Sequence, residues 1–272
     1  MTQLDTGTED LLAEVDDGVA VLTMNRPHRR NAMSEAMMAA MERVLADVEV
    51  DDAVGCVVLT GAGGAFCAGG DVKAMAERSA AGRGQSLDAA IHRQRLRQRA
   101  TSGRLWHMPK PTIAAIGGPA AGAGLSLALA CDLRYAVPNA VLTTAFARVA
   151  FSGDYGGTWF LTRLVGSAKA KELYYFSDRL SAADAERLGI VNATFPADEF
   201  DTEVRQRARR LAEGPRLAYR YMKENLNRAV GGELGDCMDI EATHHVHTGL
   251  TEDHREAATA FVERRDPKFT GR

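Results

Sequence analysis

The sequence predicts an α/β protein in which repeated units of strand, glycine turn and helix run into a C-terminal region that is all helix. Three features point there. An Asp-Gly pair, Asp17-Gly18, parts two short apolar runs near the start. Continuous apolar strands each feed a glycine-rich turn. Beyond residue 199 the apolar residues recur with helical spacing.

In chain order, Leu11–Val15 and Val19–Met24 flank Asp16-Asp17-Gly18 and read as a hairpin. Ser34 stands as the N-cap of a helix whose apolar face is Met37, Met38, Met41, Val44 and Leu45, ending near Val50. That methionine stripe reads as core. Cys56–Thr60 is a buried strand that feeds Gly61–Asp71, and a helix follows from Val72. The plan repeats with Thr112–Ile116, the breakers Gly117-Gly118-Pro119, and an Ala/Leu helix over Gly124–Ala130. A third unit runs through Leu133–Val137, Val141–Thr144 and the glycine turn Gly153–Gly157. From Ser167 the chain reads as mostly helical. Ser181 to Asp184 resembles a capping box, and Ile190–Phe195, closed by Pro196, reads as the last strand. Helices are expected over 199–213, 216–229, 233–248 and 251–264. Arg83–Gly84 and Gly231–Gly232 are the best loop points, and neither sits in a linker long enough to divide domains.

Composition narrows the function. At 272 residues the chain can bury one large core. A formal charge of −3 argues against a nucleic-acid partner, since displacing counterions from phosphates takes a concentrated basic surface. Cys56, Cys67, Cys131 and Cys237 lack the close pairing of a zinc or redox site and read as buried thiols in a reducing cytosol. Met1 to Leu12 is acidic where an export signal would be basic and then apolar, so a cytoplasmic location is expected. The 21 uncharged residues between Lys110 and Asp132 could by length cross a bilayer, but the Gly-Gly-Pro break inside them reads as strand, turn and buried helix; no membrane partner is expected.

Two glycine turns that follow buried strands and open helices aim backbone N–H groups beyond the strand ends, which suits an anion. Tight packing of helix on strand is the alternative reason for such glycines. Neither turn has the Gly-Lys-Ser/Thr ending of a P-loop, and neither carries a full dinucleotide fingerprint.

The residues around these turns carry a resemblance. Met24-Asn25-Arg26-Pro27 with Asn31-Ala32, Phe66-Cys67-Ala68-Gly69-Gly70-Asp71, Lys110-Pro111-Thr112-Ile113-Ala114-Ala115 and Gly122-Ala123-Gly124 are similar in order and spacing to the crotonase (enoyl-CoA hydratase/isomerase) family, over nearly the whole chain. Phe261-Val262-Glu263-Arg264-Arg265 resembles the family's C-terminal helix. The resemblance implies a crotonase-like spiral of ββα units over 1–198, carrying the CoA site, and a helical trimerisation region over 199–272. It implies a homotrimer or dimer of trimers, and an acyl-CoA thioester substrate whose coenzyme A is part of the substrate, with no metal or redox cofactor.

It also implies that the N–H groups of Gly70 and Ala123 form an oxyanion hole for the thioester oxygen. Chemistry agrees: an enolate formed α to a thioester is stabilised by preorganised donors, each contributing about 3 kcal/mol. The family's hydratases use two glutamates. At those positions this chain has Ser126 and Phe146, neither of which can act as a carboxylate base. The remaining acid is Asp154, in the column that holds the acid of the family's isomerases, epoxyphenylacetyl-CoA isomerases among them, and the nucleophile of its dehalogenases. Together with Gly156-Gly157-Thr158-Trp159 and the ending Asp266-Pro267-Lys268-Phe269-Thr270-Gly271, it resembles the isomerase branch. Asp154 is therefore expected to be the acid/base of a double-bond shift or epoxide rearrangement. The alternatives are a hydratase, a non-catalytic acyl-CoA-binding subunit, and, for Asp154 alone, a turn residue capping the helix near Thr158.

For coenzyme A the resemblance points to the backbone around Arg30, to Ala68, Asp71 and Val72, to Arg29 and Lys73 near phosphates, to Phe261 of the C-terminal helix, and to Arg264 reaching the nucleotide from a neighbouring subunit. Each charged residue could equally be a solubilising surface charge. Phe146, Tyr155 and Trp159 either line an acyl pocket or belong to the core. Dehalogenation also needs a helix histidine, and His92 and His107 flank the expected region without matching it. His244, His245 and His247 lack the carboxylate or cysteine company of a metal site and read as a solvated helix face.

Overall fold

The computed structural model describes residues 1–74, 77 and 86–272. Its strands are β1 (Thr2–Leu4), β2 (Leu11–Asp16), β3 (Val19–Met24), β4 (Cys56–Gly61), β5 (Thr112–Ile116), β6 (Ala120–Ala121), β7 (Leu133–Ala136), β8 (Val141–Thr143), β9 (Leu180–Ser181) and β10 (Ala193–Thr194). β2 and β3 form the expected hairpin, turning at Asp17 and Gly18 with φ of 48° and 74°. Two successive left-handed residues give the turn whose twist matches the flanking strands.

From β3 the large sheet continues in parallel through β4, β5, β7 and β10, with β1 and β2 as its antiparallel edge. A small sheet holds β6, β8 and β9. Isolated bridges from Met33 to Gly70 and from Cys67 to Ala120 extend that small layer back along the chain. Each turn of chain therefore lays one strand in the large sheet, crosses to the small layer and returns through a helix. The helices that close these units are Glu35–Val50, a segment beginning at 72, Ala123–Ala130 and Gly157–Phe176. This is a spiral of ββα units. Arg83–Gly84, one of the two expected loop points, lies outside the described residues; Gly231–Gly232 does separate two helices.

Sequence explains why the layers hold. Ser34 Oγ accepts from Met37 N at 3.0 Å, capping a helix whose Met37, Met38, Met41, Val44 and Leu45 are buried against the sheet. β5 is buried along its whole length, as a parallel strand between two helical layers should be. The uncharged stretch between Lys110 and Asp132 is β5, β6 and the buried helix Ala123–Ala130, and no helix among the described residues is long and apolar enough to cross a membrane. Cys56, Cys67 and Cys131 are buried, and burial pushes each thiol up to about 12; Cys237 is half-buried.

The C-terminal helices are Phe200–Ala212, Arg216–Ala229, Leu234–Gly249 and Glu252–Glu263. Lys223 fastens the second of them to the core: its Nζ donates to Leu105 O (3.0 Å), Lys110 O (3.2 Å) and Asp132 Oδ2 (2.8 Å). Asp132 Oδ2 in turn accepts from Thr112 N at 2.8 Å, so helix, strand and turn share one carboxylate.

Two expectations need correcting. The last strand covers only Ala193–Thr194, because the N–H groups of Ile190 and Val191 both donate to Ala185 O, closing the end of helix Ala182–Arg187 instead of joining a ladder. The helix expected from Ser167 does start there, after a break at Gly166 (φ 78°, ψ 163°), and a preceding helical stretch runs from Gly157 up to that break. His244 is not on a solvated face: its ring stacks on Tyr221 at 4.2 Å, and its Nδ1 lies 2.6 Å from Asn225 Oδ1. Among the described residues no group of acidic, His or Cys side chains could hold a metal.

Candidate active site

The two glycine turns meet. A Cβ on Gly69 (φ 88°) would lie 2.8 Å from Ala121 O and 3.3 Å from Ala123 N, and one on Gly124 would lie 2.4 Å from Cys67 O. The bond from Ala121 N to Cys67 O, 2.9 Å, ties the turns together. Only glycine permits backbones this close. Ala123 is the first residue of its helix, so its N–H has no partner within the helix. Among the described residues, neither the N–H of Gly70 nor that of Ala123 donates to a protein acceptor. Two unengaged donors thus belong to abutting turns.

Asp154 sits in a loop bent by left-handed residues on both sides: Gly153 (φ 110°), Tyr155 (φ 49°) and Gly156 (φ 75°). Gln98 Oε1 accepts from Tyr155 N at 2.7 Å and steadies that bend. The Asp154 side chain caps nothing. Helix Gly157–Phe176 has no side-chain cap, and what Gly157 N meets is Asp154 O, the main-chain oxygen. Asp154 Oδ1 is buried without a hydrogen-bond partner, and burial raises the carboxyl from 3.8 to about 6. A capping role would have given that oxygen a donor and lowered its proton affinity.

The two positions without a carboxylate are both occupied by buried side chains. Ser126 lies one turn into the helix that Ala123 begins, and its Oγ bonds Gly122 O at 3.3 Å. The Phe146 ring stacks on Tyr174 at 5.8 Å and 8° and stands 3.9 Å from where a Gly122 Cβ would be. Tyr174 also lies against the Asp154 loop, its Cε1 3.1 Å from the Cβ position of Gly153. Burial, and then the charge of Asp154, raise the Tyr174 phenol. Tyr174 was not foreseen. It lies in a stretch whose only sequence signal is helical spacing.

Of the expected coenzyme A residues, Arg29, Arg30, Ala68, Val72 and Lys73 are exposed together on one rim. Ala68 N donates to Arg30 O at 2.9 Å, which brings two of them into register. Asn31, fully buried, holds this rim, with Nδ2 donating to Ala62 O and Ala65 O, both at 2.8 Å. Asp71 is engaged within the protein: Oδ1 accepts from Ala74 N (3.1 Å) and Oδ2 pairs with Arg26 (3.2 Å). The Ala74 bond leads the lowering of its carboxyl pKa, and the Arg26 hydrogen bond and charge add to it.

The other aromatic candidates are engaged in packing. Tyr155 is in the buried core, and Trp159 packs edge-on against Trp106 (5.0 Å) and Phe160 (5.2 Å), with Arg163 over its face at 3.7 Å. Both are accounted for by core and surface packing. Phe261 and Arg264 are exposed at the end of helix Glu252–Glu263, which packs on helix Leu234–Gly249. His92 and His107 are exposed, as expected of surface residues.

The sequence profile of the enoyl-CoA hydratase/isomerase family matches residues 14–272. The chain belongs to that family. It is 36% identical over 264 residues to the 1,2-epoxyphenylacetyl-CoA isomerase of Escherichia coli, covering 97% of this chain and 99% of that one. It is also 36% identical over 267 residues to human enoyl-CoA hydratase domain-containing protein 2, mitochondrial, covering 96% and 88% of the two chains. Among solved structures, an enoyl-CoA hydratase from Polaromonas sp. JS666 superposes with a TM-score of 0.89 at 31% identity, over 96% of this chain and 99% of that one. The fold is therefore the crotonase spiral of ββα units with C-terminal helices, and the protein is an acyl-CoA enzyme of the enoyl-CoA hydratase/isomerase family. Isomerase and hydratase names both occur among its relatives, so the direction of its chemistry is a question for its own residues.

Proposed function

We propose that this crotonase-family enzyme moves a double bond along an acyl-CoA, with Asp154 as its single acid/base. The observation that carries the reading is the half-buried Asp154 carboxyl, its Oδ1 buried without a partner and its pKa raised to about 6, while the positions of the hydratase acids hold Ser126 and Phe146. A carboxylate with that affinity is ionised at neutral pH yet holds a proton well enough to return it. Asp154 takes a proton from one carbon of a 3-enoyl thioester. The electron pair moves to the thioester oxygen, and the Gly70 and Ala123 N–H groups stabilise the enolate. Asp154 then gives the same proton to the other carbon, so no water is consumed. The reaction is redox-neutral, needing no metal or redox cofactor. The same acid and donors would also serve an epoxide whose ring opens toward the thioester.

Coenzyme A would lie along the exposed rim of Arg29, Arg30, Ala68, Val72 and Lys73, its phosphates facing the three cations, with Asp71 holding the rim through Arg26. Phe261 and Arg264 would complete that site from a neighbouring subunit. The 199–272 region then serves assembly into a trimer or dimer of trimers. Supporting this are Met222, Leu226, Leu234, Met238, Val246 and Leu250, large apolar side chains exposed on its helices.

The deciding experiment incubates the enzyme with 3-enoyl-CoA and with crotonyl-CoA in ¹⁸O-labelled water. Conversion of the first to 2-enoyl-CoA without label, abolished in Asp154→Asn, is expected. Rapid label uptake into 3-hydroxyacyl-CoA would establish a hydratase instead. Absence of turnover over a broad thioester panel, with coenzyme A still bound, would establish a binding subunit.

A further inference from the structure

Four residues around Asp154 close on one another through Tyr174. The phenol oxygen lies 2.6 Å from the Cβ position of Gly157, and Ser126 Oγ lies 2.2 Å from the same point, so the two hydroxyls stand side by side over that glycine. The ring of Tyr174 runs along Gly153 and stacks on Phe146, which itself reaches Gly122. Tyr174 thus touches or flanks both positions that lack a carboxylate, and the glycines on either side of Asp154. A buried space with polar groups on its walls admits water, whereas one filled by a ring does not. Ser126 Oγ and Asp154 Oδ1 would be such polar walls.

We infer that Tyr174 is a positioning residue whose ring occupies the place of the attacking water, and so commits the enolate to proton return instead of hydration. The inference rests on the isomerase reading and names the residue that sets its outcome. Without the ring, a water held by Ser126 and Asp154 could add its hydroxyl to the β-carbon of a 2-enoyl thioester while a proton goes to the α-carbon.

Among the described residues, the titratable groups facing Asp154 are Tyr155 on its own loop and Tyr174 from helix Gly157–Phe176. Arg97 stands behind Tyr155, paired with Glu35 at 2.7 Å and Glu42 at 3.3 Å. Among the described residues no cation pairs with Asp154, and burial alone raises its carboxyl.

The test compares wild type, Tyr174→Phe and Tyr174→Ala by ¹³C NMR titration of the Asp154 carboxyl without substrate, and by the share of ¹⁸O-labelled 3-hydroxyacyl-CoA formed from 2-enoyl-CoA. Tyr174→Phe keeps the ring and should match wild type in both. Tyr174→Ala should move the titration from about 6 toward 3.8 and raise the labelled share by about tenfold. A folded Tyr174→Ala protein with both readouts unchanged would overturn the inference. So would a crystal structure of the wild type with a water bonded to Asp154 Oδ1 beside Ser126, which needs no variant to fold. Lack of turnover in wild type would defeat the isomerase reading, whereas the titration and the crystal structure still show whether Tyr174 keeps the acid dry.

Discussion

Asp154→Asn should abolish turnover and stabilise the protein in a pH-dependent way. The carboxyl has its ordinary 3.8 in the unfolded chain and about 6 when folded. Its folded affinity for a proton is raised, so between these values the folded state binds more protons than the unfolded one. Stability contributed by Asp154 therefore falls as pH rises through this window, and above it the buried charge costs about 3 kcal/mol. Asparagine cannot ionise and avoids that cost. Its amide brings a cost of its own, from a donor with no partner, but that term does not change with pH. The difference in unfolding free energy between variant and wild type should accordingly grow by about 2 kcal/mol in favour of the variant from about pH 4.5 to about pH 7.5. Urea unfolding at several pH values measures it. A difference flat across that range would refute the dry-carboxylate argument, whatever the variant does to the rate. Wild-type kcat/KM should show the same group, rising with pH through about 6 as the base form appears.

Ala123→Pro removes a proposed oxyanion donor at the first position of a helix, where proline's own backbone is tolerated. The expected result is a loss in kcat/KM of about 10²–10³ with coenzyme A still bound, and a near-wild-type rate would exclude this N–H from the mechanism. Lys223→Ala leaves Asp132 and two carbonyls without their shared cation, and should lower stability by about 3 kcal/mol in chemical unfolding. An unchanged midpoint would mean that helix Arg216–Ala229 is held by its apolar contacts alone.

What the sequence disclosed follows from the range of the interactions involved. The hairpin at Asp17-Gly18 and the Ser34 cap are decided within a few residues, and both form as expected. The buried strand β5 is legible because a continuous apolar run has one way to be satisfied in a parallel sheet. Ile190 and Val191 misled, since their apolar run reads as strand while their N–H groups are engaged locally by Ala185 O; only from Asn192, whose N–H donates to Arg134 O of β7, does the chain turn to the sheet. Tyr174 and Gln98 could not be found at all. Each meets the Asp154 loop from a helix whose placement depends on the whole spiral, and neither carries a local signal of that contact. Asp154 was singled out as a candidate acid only through resemblance. Its local sequence fits a turn residue equally well, and what the fold adds is an Oδ1 buried without a partner.

The glycine turns admit two explanations, anion-binding and tight packing, and in this fold the second makes the first possible. Gly124 sits one residue beyond Ala123, and its missing Cβ is where Cys67 O and Sγ lie, at 2.4 Å and 2.8 Å. Cys67 belongs to the turn that carries Gly70, and Cys67 O also accepts from Ala121 N. A methyl at residue 124 must therefore push against a main-chain carbonyl and drive the two donor turns apart, although it touches no substrate. Alanine favours a helix interior over glycine by about 1 kcal/mol, so propensity alone would make Gly124→Ala stabilising. The contact predicts the reverse: a loss of about 1–3 kcal/mol in stability from overpacking, together with a fall in kcat much greater than any change in KM, because a displacement of even 1 Å between the donors weakens the transition state more than the bound ground state. Steady-state kinetics beside thermal unfolding would read both. If the variant gained stability and kept its kcat, the close approach of the turns would be packing without consequence for the oxyanion.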